Sequence, residues 1–386
     1  MTPMTTPREA GFHMPAEWAP HAGCWMAWPC RPENWDDIER ARATCAEVAR
    51  AVAAYEPLTM TANAVHVAQA RKALGAGSGL DADVVAVPSD DSWARDSAPT
   101  FVVDGRGTLA GVDWRFNAYG GIYEEYARTA NMARRILDLL GARRFAAPLV
   151  LEGGAVHTDG DGTVLTTEEV VLDPRRNPDL DRAEAERLLC EYLGAERVVW
   201  LTGALEHDNT GGHVDNLAAF VAPGVVVAMG CDDPDDPQAP AVAENLARLR
   251  GARDARGRSL EVVELPSPER REFRGRLLSP SYVNFYVANG AVFVPGFDDP
   301  ADAVARDVLA GLFPRRRVVQ LPTLELAKAD GNIHCVTQQQ PAGCVAAGPP
   351  RPPGAGRAGG RGRRPAPAGR EAEAGAGPSA AVSVRP

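Results

Sequence analysis

Five side chains of the kinds that do nucleophilic and acid–base chemistry stand in short polar segments. They are Asp96 in SWARD (92–96), Glu152 in EGG (152–154), His213 and Asp215 in GGHVD (211–215), and Cys335 in GNIHC (331–335). Each has a bland alternative. Cys335 is either a nucleophile or a small buried hydrophobe. Gly331 before it and the polar run Thr337-Gln338-Gln339-Gln340 after it argue against an ordinary core strand. His213 and Asp215, two residues apart, share one face if the segment is a strand. There they bind substrate or a metal, but a metal wants further converging ligands, and only His207 and Asp208 are near in sequence. Glu152 precedes two glycines, which let a backbone approach another group closely. Asp96 follows Arg95 and is either a site acid or half of a surface ion pair. Trp93 beside it is a core residue or a site wall. Taken together, three carboxylates, a histidine and a thiol suit a planar cation. A guanidinium presents its donors in a rigid fork that carboxylates match bidentately, and a thiolate can then attack the central carbon. An anionic substrate would call for Arg or Lys. A cysteine protease would need an oxyanion hole and a Cys–His–Asn set.

The segments recur at one place in a repeating pattern. Hairpins are expected at 99–116, 155–172, 213–230 and 282–295, the last with an Asn289-Gly290 turn whose central positions both need positive φ. Helical periodicity follows each, at 124–140, 182–193, 239–251 and 301–313. A short apolar strand follows each helix, at 147–152, 197–202, 260–266 and 317–322. A fifth unit starts near 333, and the N-terminus supplies what it lacks: strand 24–29, helix 36–55, strand 57–62, helix 66–75 and strand 83–88. If the last strand pairs with the first, five strand–helix repeats close into a ring and leave no open sheet edge. The expected fold class is therefore α/β, a pseudo-fivefold propeller around a central site. The loops before the hairpins would converge at one end of its axis, carrying Asp96, Glu152, His213, Asp215 and Cys335 into one pocket. Other tempting features fall away. DGDG (159–162) lacks the later ligands of a Ca²⁺ loop, and GAGSGL (75–80) is not followed by Lys-Ser/Thr, so it is no phosphate loop.

Composition separates body from tail. Of 386 residues, 45% are apolar and 24% charged, with a net charge of −10. From Gly343 on the chain is Pro/Gly/Ala/Arg-rich without aromatic residues, the composition of a disordered tail. It carries seven Arg and two Glu, so the first 342 residues stand at −15. The expected organisation is one domain over 1–342 and a tail over 343–386. An acidic body disfavours nucleic acid and favours a small cation. The longest uncharged stretch, 216–231, is broken by Pro223 and Gly224, so no membrane span is expected. The first fifteen residues lack the apolar region of a secretory signal. Seven scattered cysteines without a CxxC point to reduced thiols and a cytoplasmic protein. Homo-oligomerisation is left open.

Seven stretches carry a family resemblance: 14–35 (MPAEWAPHAGCWMAWPCRPENW), 90–101 (DDSWARDSAPTF), 115–121 (RFNAYGG), 152–169, 208–216 (DNTGGHVDN), 281–297 and 331–341 (GNIHCVTQQQP). In order, they cover nearly all of 14–341. The chain resembles the agmatine deiminases of the guanidino-group modifying superfamily, which also holds bacterial-type peptidylarginine deiminases. That resemblance implies a pseudo-fivefold α/β propeller and a hydrolase that converts agmatine to N-carbamoylputrescine and ammonia, on a route to putrescine. It implies that Cys335 attacks the guanidinium carbon and holds a covalent thiouronium. It further implies that Asp96 and Asp215 clamp the guanidinium nitrogens, that His213, oriented by Glu152, moves the protons, and that Trp93 stacks on the substrate. Neither metal nor organic cofactor is implied. Two departures stand out: Asp330 replaces a small residue near the nucleophile, and Asn209 stands where the family often has a second acid. They keep two alternatives in view, deimination of another guanidino compound such as peptidyl arginine, and a catalytically silent guanidino-binding protein. Agmatine is favoured over arginine because no arginine other than Arg95 sits in the motif loops.

Overall fold

The structure is a computed structural model, and it describes residues 5–75, 79–203 and 208–345. The expected tail lies outside the described residues from position 346 on, as do His207 and positions 76–78 of the 75–80 connector. Two residues of the stretch assigned to the tail, Cys344 and Val345, pair in parallel with Thr108 and Leu109.

One sheet pattern recurs through an α/β fold: an antiparallel pair, a helical connection, then a third strand running parallel to the second. Thr100–Asp104 pairs with Thr108–Arg115, which takes Arg143–Val150 in parallel. Val156–Thr158, Thr163–Thr167 and Arg197–Leu201 repeat it. So do Ala218–Ala222, Val225–Met229 and Glu261–Leu265, and Tyr286–Ala288, Ala291–Gly296 and Arg317–Pro322. The fifth sheet is assembled from both ends of the described chain. Thr337–Pro341 pairs antiparallel with His21–Ala27, which takes Leu58–Ala62 in parallel, and Ala82–Ala86 is added outside.

The sequence explains the layering. Middle strands such as Ala291–Gly296 (AVFVPG) are buried along their whole length and read as continuous apolar runs, as strands covered on both faces do. Third strands such as Glu261–Leu265 keep charged residues because they lie at an open edge, which corrects the expectation of a ring without sheet edges. The crossover helices carry ordinary stop and start signals. Ile38–Ala53 begins at Asp37, whose carboxylate accepts the Glu39 and Arg40 amides, and Arg182–Leu193 ends at Gly194 in the left-handed region.

Three further expectations need correction. The helix expected over 124–140 is regular only at Met132–Leu140. Its first residues are held by the loop at 89–91 instead: Asp90 Oδ2 accepts the amides of Arg128 (2.8 Å) and Thr129 (3.4 Å), and Thr129 Oγ1 accepts the Asp90 amide. The shared strand face of His213 and Asp215 does not exist. Val214–Asn216 is a 3-10 turn and the strand starts at Ala218, because Gly211 and Gly212 enter with positive φ and the His213 amide turns back to Thr210 Oγ1 at 3.1 Å. Between Leu265 and Tyr286 there is an extra hairpin, Glu272–Phe273 with Arg276–Leu277, which the repeat did not anticipate. Among the described residues no helix is long and apolar enough to cross a membrane.

Candidate active site

Four of the five loops that precede a sheet's first strand contain one short helical turn: Ala94–Ser97, Gly153–Ala155, Val214–Asn216 and Ile333–Val336. These turns bring the expected side chains together. The clearest measure is Gly154, where a Cβ would lie 2.7 Å from His213 Nδ1, 2.8 Å from Asp215 Oδ2 and 2.9 Å from Asp96 Oδ1. Three groups from two other loops thus converge on one bare Cα. A close approach of this kind admits only glycine. Cys335 Sγ stands 3.6 Å from the same Asp215 Oδ2. Gly154→Ala is expected to push these groups apart and lower kcat/KM by about 10²-fold or more, the cost of misplacing reacting groups by about an ångström. Steady-state kinetics beside a melting curve checks this, and near-normal turnover would show that the convergence is not functional.

The thiol is buried at 3% exposure. Asn284 Nδ2 donates to its Sγ at 3.1 Å, and the Cys335 amide donates to Asn284 Oδ1 at 3.3 Å. Asn284 comes from the fifth such loop, at the repeat start near 282, and its position in the repeat was the signal that could have found it. Burial pushes the Cys335 thiol well above the ordinary range, with Asp215 and then Asp96 adding to the rise. Asp330 turns elsewhere: its carboxylate accepts from Asn209 and pairs with Arg276 of the extra hairpin.

His213 is wholly buried between two acids, with Nε2 3.5 Å from Glu152 Oε2 and Nδ1 3.7 Å from Asp96 Oδ1. Burial opposes its charged form, but Asp96, Glu152 and Asp215 outweigh burial and raise its pKa to about 9. At neutral pH it is an imidazolium. Glu152 is itself gripped by Arg176, whose Nε donates to both carboxylate oxygens at 3.1 Å and whose second amino group donates to the Thr210 carbonyl at 2.7 Å. Burial opposes the charge on Glu152, yet His213 and Arg176 hold its pKa below the usual range. Asp96 accepts from the Gly154 amide and the Tyr119 hydroxyl, both at 3.0 Å. Burial raises it to about 6, although His213 pulls the other way. Tyr119 reaches Asp96 from a pair of left-handed residues, Ala118 and Tyr119 at φ 58° and 57°. Asp208 does not face the cavity. It accepts the Thr210 and Gly212 amides and shapes the loop that carries His213.

Arg95 overturns the surface-pair alternative for Asp96. It is 1% exposed and pairs with Glu17, its terminal nitrogen 3.2 Å from Oε1. Glu17, His157 and His334 offer three ligand atoms within 4.8 Å of one another. They do not suit a metal, because the Arg95 guanidinium sits on Glu17 and both His334 nitrogens are engaged by carboxylates.

A narrow cleft opens onto Cys335 and Asp96. Trp93 and Tyr119 wall it, and Tyr123, Asn209, Thr210 and Asp330 lie along the same opening. Trp93 is both wall and core: it is 6% exposed and its ring centroid lies 5.3 Å from that of Trp35. Gly331 lets it sit there, because a Cβ at that position would be 2.3 Å from the indole.

A buried thiol among acids poised for a guanidinium defines a class, and the chain belongs to the Porphyromonas-type peptidyl-arginine deiminase family, whose description matches residues 13–341. Within it, the chain is 44% identical over 365 residues to the agmatine deiminase of Ectopseudomonas mendocina, covering 88% of this chain and 98% of that one. The agmatine deiminase of Pseudomonas aeruginosa is likewise 44% identical, over 364 residues, with the same coverage. The solved agmatine deiminase of Enterococcus faecalis is 34% identical with a TM-score of 0.84, covering 88% of this chain and 98% of that structure.

Proposed function

We propose that this protein is an agmatine deiminase, hydrolysing agmatine to N-carbamoylputrescine and ammonia without a metal or organic cofactor. The observation that carries the reading is the convergence of Asp96, Asp215 and His213 on Gly154, with the Cys335 thiol 3.6 Å from Asp215. Asp96 and Asp215 grip the guanidinium nitrogens. The bound cation offsets the negative charge that holds the thiol neutral, the thiol loses its proton to solvent, and the thiolate adds to the central carbon. His213 gives its proton to the departing amine, which leaves as ammonia. A thiouronium remains on Cys335. Neutral His213 then takes a proton from water, the oxygen adds to the same carbon, and the C–S bond breaks, the departing sulfur taking up the hydroxyl proton so that N-carbamoylputrescine is released and the thiol restored. Trp93 lies along the substrate's flat cation or its methylene chain.

The five like sheets support a closed pseudo-fivefold propeller around this site, and the Thr337–Pro341 to His21–Ala27 pairing supports its closure. In this reading residues 1–342 are a single domain, with Cys344–Val345 at its edge, and the remaining tail carries no catalytic group.

The rim favours agmatine over a peptide. Asp330 and Arg276 narrow the opening with a paired charge, leaving little room for a polypeptide on both sides of an arginine. Arg276 is an arginine near the opening that the sequence reading did not count, and Asp330 holds it. The carboxylate of Asp330 is also the group that can meet the second positive charge of agmatine. Asp330→Asn is expected to raise KM for agmatine several-fold, since one partly exposed charge pair is worth about 1 kcal/mol, and to narrow the preference for agmatine over arginine by freeing Arg276. Initial rates with both substrates check this, and an unchanged ratio would remove Asp330 from substrate choice. The function itself is tested by giving purified protein agmatine, arginine and a blocked arginine peptide and measuring the ureido product. Turnover confined to the peptide would replace this reading with peptidyl deimination. Binding of agmatine without turnover of any substrate would leave the silent homologue.

A further inference from the structure

Behind the cavity runs a buried chain of four charged groups. Asp215 Oδ2 lies 2.8 Å from His334 Nδ1, and His334 Nε2 lies 2.8 Å from Glu17 Oε1. Glu17 Oε1 in turn takes the Arg95 guanidinium at 3.2 Å, and His157 Nε2 stands 3.7 Å from its other oxygen. None of these side chains is more than 3% exposed. A carboxylate can only accept, so a ring held between two of them must donate from both nitrogens, which only the imidazolium does. The signs then alternate: Arg95 positive, Glu17 negative, His334 positive, Asp215 negative. Without such pairing a buried carboxylate tends to take up a proton.

The two acids assigned to the guanidinium are held very differently. Asp96 accepts hydrogen bonds only from neutral groups, the Gly154 amide and the Tyr119 hydroxyl, with the His213 imidazolium farther off at 3.7 Å. Asp215 has one oxygen fixed by the imidazolium, and its other, Oδ1, is buried with no partner. That unpartnered oxygen leaves capacity for a further donor, while Oδ2 lies 3.6 Å from the Cys335 thiol. We propose that Glu17 and His334 are positioning residues, a charge-alternating relay from Arg95 that fixes Asp215 as an oriented carboxylate with Oδ1 presented to the guanidinium. The inference rests on the deiminase reading only in making Asp215 a substrate contact.

Every charged group around the relay bears on its titration. Asp215 is faced by His334, His213, Arg95, Asp96 and the Cys335 thiol. His334 is faced by Arg95, Glu17 and Asp215, and the His157 ring stacks on it at 6.2 Å between centroids. Glu17 is faced by His334, Arg95 and His157. Burial works against the charge on all three. His334 and then His213 nevertheless hold Asp215 below its ordinary value, and Glu17 and Asp215 raise His334 above its own.

Two measurements on the full-length enzyme decide the matter. Nitrogen NMR of histidine-labelled protein at pH 7.5, with His334 assigned by its loss in His334→Gln, should show both ring nitrogens protonated. A singly protonated ring overturns the relay whether or not the protein turns over agmatine. Glu17→Gln keeps shape and hydrogen bonding but removes a charge. It should lower kcat/KM for agmatine roughly 10-fold or more at pH 6, shift the acid limb up by about one pH unit, and let activity recover as pH rises. A loss uniform across pH, or an unchanged acid limb in a folded variant, reduces Glu17 to a structural plug and overturns the proposal. Failure of the wild type to deiminate agmatine would instead count against the function, leaving the NMR result to judge the relay.

Discussion

Cys335→Ala is expected to lower kcat for agmatine by roughly 10⁴-fold or more, the scale of loss when a covalent nucleophile is deleted, while agmatine still binds. Binding survives because the proposed grip belongs to Asp96 and Asp215, which come from other loops and keep their own partners, Gly154, Tyr119 and His334. The resting thiol is neutral, because burial and the two flanking acids hold its pKa well above the ordinary range. Removing it therefore changes little of the charge that agmatine meets. The same electrostatics predicts slow alkylation of Cys335 by iodoacetamide in the free enzyme at pH 7.5, since only the thiolate reacts. Calorimetry for binding, product assay for turnover and intact mass of the quenched wild-type reaction for the Cys335 adduct make the test. Turnover that persists in the alanine variant would sink the covalent route.

Much of this site could be read from the sequence because its residues recur at one point of a repeat. Asp96, Glu152, His213, Asp215 and Cys335 all stand just before the first strand of a unit, and the structure places four of those loops as similar short turns. Spacing alone thus foresaw convergence, although the strand geometry assumed for His213 and Asp215 was wrong. What stayed hidden depends on distance rather than order. Asn284 sits at the repeat start that had no obvious acid or histidine. Glu17 lies 317 positions before the histidine it contacts. His334 was read only as a neighbour of Cys335, yet it faces Asp215 and Glu17 from beneath. Arg95 beside Asp96 suggested a local ion pair, but neighbours on a short helical turn point in different directions, and Arg95 points to Glu17. Asn209 and Asp330 each looked like a defect. In the fold they touch each other, so the acid absent at 209 has a carboxylate against it from 330.

His213→Gln carries the other large effect. In the proposed mechanism one histidine serves as acid in the first half of the reaction and as base in the second, so its loss is expected to lower kcat by about 10²–10⁴-fold, the usual worth of general acid–base catalysis. The pH profile is the sharper readout. Asp96 must be ionised to grip the substrate, so kcat/KM should rise with pH through about 6. His213 must be protonated to release ammonia, so kcat/KM should fall as pH passes about 9. The two limbs belong to groups only 3.7 Å apart and titrate as a coupled set. In His213→Gln the alkaline fall should vanish. A wild-type profile that instead keeps rising through pH 9 would mean that deprotonation of free Cys335 limits the enzyme. That outcome would overturn the assignment of the proton donor and the idea that the bound cation makes the thiolate. The imidazolium is held by Asp96, Glu152 and Asp215 together, so in the proposed mechanism the acids that grip the substrate also charge the donor that completes its first bond cleavage.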